Sequence, residues 1–195
     1  MTERIAIIQG HPDGKNRHLG HALSEAYSKS AIEAGKEVRI IEVGKLDFPL
    51  IHTKSEWENA SLPPELISAQ NDLLWAEHWV LFYPLWLGAM PAVLKGFLEQ
   101  VLRPNLTFVN SEPGQPWDQL LIGRSARIVV TMASNTFVYK HFYGAHTVKS
   151  LDRNILKFCG IHPVMTTLIG EVYVKSSKQI ERAIKQISGY GSKGI

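Results

Sequence analysis

Short apolar runs alternate with longer segments of helical spacing along this chain, and that alternation restricts the fold more than any other feature. Ile5-Ala6-Ile7-Ile8 is continuous and apolar, as a strand buried on both faces requires. Apolar or small residues then recur at Leu19, Ala22, Leu23, Ala26, Tyr27 and Ala31 with helical spacing, and Gly35 supplies a stop. Val38, Ile40, Ile41 and Val43 predict a second strand. Leu66, Ile67, Ala69, Leu73 and Leu74 predict a helix entered through Pro63-Pro64. A third strand at Val80 to Phe82 leads to a helix from Ala92 to Leu102, and a fourth at Ile128 to Thr131 to a helix from Gly144 to Phe158. Val164 to Ile169 gives the fifth strand, and Ile180, Ala183, Ile184 and Ile187 mark the last helix. Five strands alternating with five helices predict a three-layer, doubly wound α/β domain on a parallel sheet. Periodicity does not fix the strand order.

The length of 195 residues suits one well-cored domain. We place that domain at 1–188. It carries an irregular insertion at 103–125, where Pro104, Pro113, Gly114, Pro116 and Gly123 break the alternation. The Gly- and Ser-rich tail, 189–195, is expected to fray. A net charge of +3, with cations scattered rather than striped, argues against nucleic acid as the main partner. No run reaches the apolar length of a membrane span, and Met1-Thr2-Glu3-Arg4 lacks the layout of a signal peptide. The single cysteine, Cys159, excludes an internal disulfide and fits a reducing cytoplasm. Its setting reads as an inert core thiol.

Three of the strands end in unusual loops, and ligands of an open parallel sheet collect at strand carboxyl ends. The first loop, Gln9-Gly10-His11-Pro12-Asp13-Gly14-Lys15-Asn16-Arg17-His18, precedes a helix whose free N–H groups suit an anion. Lys15, Arg17 and His18 add charge-assisted donors. The second, between Tyr83-Pro84 and Pro91, holds Leu85, Trp86, Leu87 and Gly88 and suits a flat aromatic ligand. Pro91 is placed for a first helical turn. The third runs from Thr131-Met132-Ala133-Ser134 through Tyr139 and Tyr143 to Gly144-Ala145-His146. His11, His18 and His21 raise the question of a metal, but no acidic or cysteine ligand accompanies them at zinc spacing, so we assign none. A Walker loop, a Gly-x-Gly-x-x-Gly loop and a Gly-x-Ser-x-Gly elbow are all absent.

The segment Pro84 to Phe97 resembles the P-L-x-W-x-x-x-P-A-x-L-K-G loop of flavodoxin-like NAD(P)H:quinone oxidoreductases, which packs against a flavin ring. His11 matches the histidine that opens the first loop in that family, and His146 the histidine of its G-x-H segment. The resemblance covers nearly the whole chain and implies the strand order 2-1-3-4-5. It implies a flavin, FAD or FMN, with His11, Asn16, Arg17 and His18 toward its phosphate or ribityl side. Pro84, Leu85, Trp86, Leu87 and Gly88 would wall the ring, with loop N–H groups at its pyrimidine edge, and Thr131, Met132, Ala133 and Ser134 would cover it. Tyr139, preferred to Tyr143, and His146 would serve catalysis at the substrate. The family's usual Ser/Thr hydroxyls and glycine pair are replaced by Asn16-Arg17 and by Ala133-Ser134. The implied activity is two-electron reduction of quinones or similar flat electrophiles by NAD(P)H, with broad substrate tolerance, in a homodimer that completes the flavin site. The insertion, with Phe108 and Trp117, would lie beside the third loop as a lid or subunit contact. The alternative within the resemblance is an ancillary flavin-binding subunit of a potassium-efflux antiporter. The basic charge balance disfavours a third reading, an acidic one-electron shuttle.

Overall fold

The computed structural model describes residues 3–109 and 117–195. Pro113, Gly114 and Pro116 of the insertion lie outside the described residues. Strands β1 (Arg4–Gln9), β2 (Glu37–Glu42), β3 (His78–Pro84), β6 (Ser125–Thr131) and β7 (Val164–Ile169) form one sheet. Its order is β2-β1-β3-β6-β7 and every pairing is parallel. Counting only these strands, the order is 2-1-3-4-5. A two-residue ribbon, β4 (Phe108–Val109) with β5 (Asp118–Gln119), stands apart and is antiparallel.

The central strands carry no polar face because helices cover both sides. On one side Ile5, Ile7, Val80, Phe82 and Val129 pack against α1 (Leu19–Glu33) and α7 (Ser177–Lys193). On the other, Ala6, Ile8, Leu81, Ile128 and Val130 meet α3 (Pro64–Trp75) and α4 (Ala92–Val101). The short α2 (Lys54–Asn59) precedes α3. The expected fourth helix is divided. After α5 (Thr136–His141) and a turn, α6 (His146–Ser150) continues into a wider π-helical stretch, Leu151–Leu156, and a tight turn at Lys157–Cys159.

Two expectations are corrected. The Gly- and Ser-rich tail is not frayed: it forms the last turns of α7. Ser30 Oγ donates to Ser188 O at 2.7 Å, and a Cβ on Gly191 would stand 2.3 Å from Tyr27 O. Small residues there serve close approach of two helices. The described part of the insertion lies at the amino end of the sheet, remote from the third loop. Trp117 stacks on Phe158 at 4.5 Å and donates Nε1–H to Phe158 O at 2.8 Å. Phe108 meets the same ring edge-on. Neither aromatic covers the strand carboxyl ends.

Candidate active site

β1, β3 and β6 end side by side, and their loops enclose a cleft of about 460 Å3. His11, Asp13, His18, Leu19 and Gly20 form one end. Pro84, Leu85, Trp86, Thr131, Met132 and Ala133 form the other, with Val172 and Tyr173 beyond β7. Strand register produces this meeting. Gly10 N donates to Phe82 O at 2.7 Å, and Leu85 N to Thr131 O at 2.8 Å, so the three exits are tied together as they leave the sheet.

Local contacts shape the first loop. Gln9, buried at the end of β1, donates to Ser24 Oγ on α1 and accepts from His11 N at 3.1 Å. The loop also lies against the turn after β2, because a Cβ on Gly14 would fall 2.5 Å from Gly44 O. His11 Nδ1 accepts from Asp13 N, so the neutral ring keeps its proton on Nε2. Burial, and then the neighbouring His18 and His21, push the His11 pKa down to about 4. His11 is therefore an uncharged donor at neutral pH. Its ring stacks on His18 at 3.9 Å and meets Trp86 edge-on at 5.9 Å. Burial and the His18 charge lower the His21 pKa as well.

The carboxylate of Asp13 gathers this loop's donors. It accepts from Lys15 N, Asn16 N and Asn16 Nδ2, each at 3.0 Å, and from His18 Nε2 at 2.9 Å. The His18 contact, then those of Asn16 and Lys15, hold its pKa well below the usual carboxylate range. Arg17 is paired with Glu25 on α1. At the first turn of α1 the N–H groups of Leu19 and Gly20 have no intrahelical acceptor.

The second loop is tighter than its composition indicates. Trp86 and Ala89 exchange both backbone hydrogen bonds at 2.9 Å, and Leu87 and Gly88 have φ of 46° and 76°. That is a two-residue turn of the primed type, which needs positive φ at both centres and favours glycine at the second. Trp86 lines the cleft, whereas Leu87 stands fully exposed at the turn's tip. Gly88 faces away and accepts through its carbonyl from Thr147 Oγ1.

Eight of the expected site residues therefore converge: His11, His18, Pro84, Leu85, Trp86, Thr131, Met132 and Ala133. Asn16, Arg17, Leu87, Gly88, Ser134, Tyr139 and His146 do not line the cleft. Asn16 and Arg17 are turned to Asp13 and Glu25, the physical reason they are absent from it. Ser134 accepts from Glu171 N at 3.1 Å through its carbonyl. Tyr139 is buried and shares a 2.8 Å hydrogen bond with Thr147, so it supports the Leu87–Gly88 turn instead of facing the cleft. His146 is exposed at the start of α6, and Tyr143 is exposed too. The backbone donors of Leu85, Trp86 and Ala89 are all engaged, so those three are not available to a ring edge. Among the residues lining the cleft, sequence reasoning assigned no site role to Asp13, Leu19, Gly20, Val172 and Tyr173. Asp13 was legible as an acidic residue inside an otherwise basic loop; the others gave no signal.

A profile of the flavodoxin-like fold family Flavodoxin_2 matches residues 3–190, almost the whole chain. The chain belongs to that family. Among relatives of this flavodoxin-like protein, an uncharacterized NAD(P)H oxidoreductase of Haemophilus influenzae is 30% identical over 176 residues, covering 88% of this chain and 86% of the relative. An FMN-dependent NADH:quinone oxidoreductase of Nitratidesulfovibrio vulgaris is 27% identical over 136 residues, 62% of this chain and 63% of the relative. The fold is shared with an NAD(P)H:quinone oxidoreductase from Methanothermobacter marburgensis, with TM-score 0.80 at 16% identity over 99% of this chain and 97% of that one. An azoreductase from Bacillus anthracis superposes with TM-score 0.75 at 18% identity, covering 98% and 99% of the two chains. Among the described residues, no helix is long and apolar enough to cross a membrane, and no group of three or more His, Cys, Asp or Glu is arranged to hold a metal ion.

Proposed function

We propose that this flavodoxin-like protein is a flavin-dependent reductase that takes a hydride from NAD(P)H and passes two electrons to quinones or similar flat acceptors. The observation that carries this reading is the cleft's division into two unlike ends. One end offers N–H donors at the start of α1 and the neutral Nε2–H of His11, which fits a phosphate or ribityl chain. The other is walled by Pro84, Leu85, Trp86 and Met132, which fits a tricyclic aromatic ring. The cleft's size lies within the roughly 300–1,000 Å3 of small-molecule and cofactor sites. Family membership and the relatives' names support the same reading.

A bound flavin supplies hydride acceptance and donation; the protein supplies position and surroundings. Trp86 and Met132 hold the ring's place and exclude water. His11 offers a hydrogen bond through its Nε2–H without adding charge. Tyr139 acts through Thr147 on the Gly88 turn, so we assign it a positioning role. His146, exposed beside that turn, is the group we place at the substrate. NAD(P)H and acceptor use the same open face in turn, and a site with few polar contacts discriminates weakly among flat acceptors.

A homodimer is part of the proposal. Leu87, Phe137, Phe142, Tyr143, Tyr173 and Val174 are exposed on the loops and on α5 at this end of the sheet. Large apolar side chains exposed in that number call for cover. The test is a titration of the purified protein with FMN and FAD, followed by flavin fluorescence. Saturable quenching at one site per chain is expected, and absence of binding by both flavins would refute the reading.

A further inference from the structure

The first loop holds cations and amide donors, yet the carboxylates of Asp13 and of Glu25 on α1 already occupy several of them. Asp13 receives Lys15 N, Asn16 N, Asn16 Nδ2 and His18 Nε2, all within 3.0 Å. Glu25 takes Arg17. Asp13 nevertheless lines the cleft beside Leu19 and Gly20, whose N–H groups are open to an anion. A phosphate placed there shares this end of the cleft with a carboxylate and finds His18 and Asn16 already committed.

We propose that Asp13 is a specificity-determining residue: a built-in anion that lowers the site's affinity for the terminal phosphate of FMN relative to uncharged riboflavin. The inference rests on the flavin reading above and goes beyond it, by naming the group that sets how strongly the phosphate end is held. Two contributions act in the same direction. Like charges repel across the short loop, and His18 and Asn16 must leave Asp13 before they reach a ligand. The phosphate end is then held mainly by backbone N–H groups, so the cofactor exchanges more readily than in a loop with free cations.

Asp13 also caps its own turn through Oδ1, which bonds Lys15 N and Asn16 N. Asp13→Asn keeps that acceptor and the side chain's shape while removing the charge. Kd values for FMN and riboflavin are measured by fluorescence quenching on wild type and D13N, at low salt and at high salt. FMN is expected to tighten about fourfold in D13N at low salt, the size of one unit like-charge pair about 5 Å apart in water. Riboflavin should stay within about twofold, and the FMN gain should shrink at high salt. Unchanged or weaker FMN binding in D13N, or equal shifts for both flavins, overturns the proposal in favour of a purely structural turn residue. If wild type and D13N both bind neither flavin, the flavin reading itself falls, and this inference with it.

Discussion

His78 opens β3 at the amino end of the sheet and has no accessible surface. Its Nδ1 lies 2.7 Å from Ser125 Oγ, while Nε2 has no hydrogen-bond partner. A proton added to this ring brings a buried charge with one donor unmatched, near the Arg127 guanidinium. Burial, and then Arg127, accordingly push its pKa from 6.5 down to about 4. The unfolded chain thus binds a proton near pH 6.5 that the folded chain refuses until about pH 4. Stability from this residue is fully present above pH 6.5 and is lost as pH falls toward 4. By pH 4.5 the loss amounts to roughly 2–3 kcal/mol, since each unit of pKa difference corresponds to a little over 1 kcal/mol. That is a large part of a domain stability of about 5–15 kcal/mol. The perturbation is the pair H78L and S125A, which removes both polar partners and leaves no orphan. Urea unfolding of both proteins at pH 7.5 and pH 4.5 is the assay. His11 and His21, also depressed, contribute to both chains and cancel in the difference. Wild type should lose roughly 2–3 kcal/mol more than the pair variant between the two pH values. Equal losses would refute the assignment of a neutral, buried His78.

The remaining expectations concern the site and its supports. Trp86→Ala should weaken flavin binding about tenfold by fluorescence titration, since it removes an aromatic wall worth about 1–1.5 kcal/mol. Gly191→Ala places a methyl against Tyr27 O and forces α7 off α1; urea unfolding should show a loss of about 1–3 kcal/mol. Thr147→Val cuts the tie from Tyr139 to the Gly88 carbonyl. It should lower turnover with little change in flavin affinity, read as kcat against Kd. Leu87→Asp at the exposed turn tip should shift the protein from dimer to monomer in light scattering if these exposed apolar side chains are the subunit contact.

The sheet was readable because each central strand is a continuous apolar run and each covering helix shows a 3.6-residue stripe. Ile5 to Ile8 and Ile128 to Val130 admit little else. Strand order came through the resemblance, because periodicity carries no information about neighbours. The tail was misread because Gly189, Gly191 and Ser192 signal a loop by composition, whereas here small size permits close helix packing. Leu87 and Gly88 were placed on a flat wall; the two-residue turn that lifts them away depends on positive φ, for which Gly88 alone was a cue. Trp86 and Met132, placed at the flavin through the resemblance, do line the cleft. Asn16, Arg17 and Tyr139 lie outside the cleft's lining for a common reason. Polar groups next to one another satisfy each other first, and pairings such as Arg17 with Glu25 or Tyr139 with Thr147 are invisible until the backbone is folded.

The central claim is two-electron reduction at the cleft, and the visible spectrum of the FMN-loaded protein tests it most directly. Under anaerobic conditions, NADPH is added first and a simple benzoquinone second. Full bleaching of the flavin band by NADPH, followed by full recovery with quinone at one equivalent, is the predicted result. A bound flavin that NADPH and NADH both leave oxidised, or a reduced flavin that quinone does not reoxidise, would contradict the account.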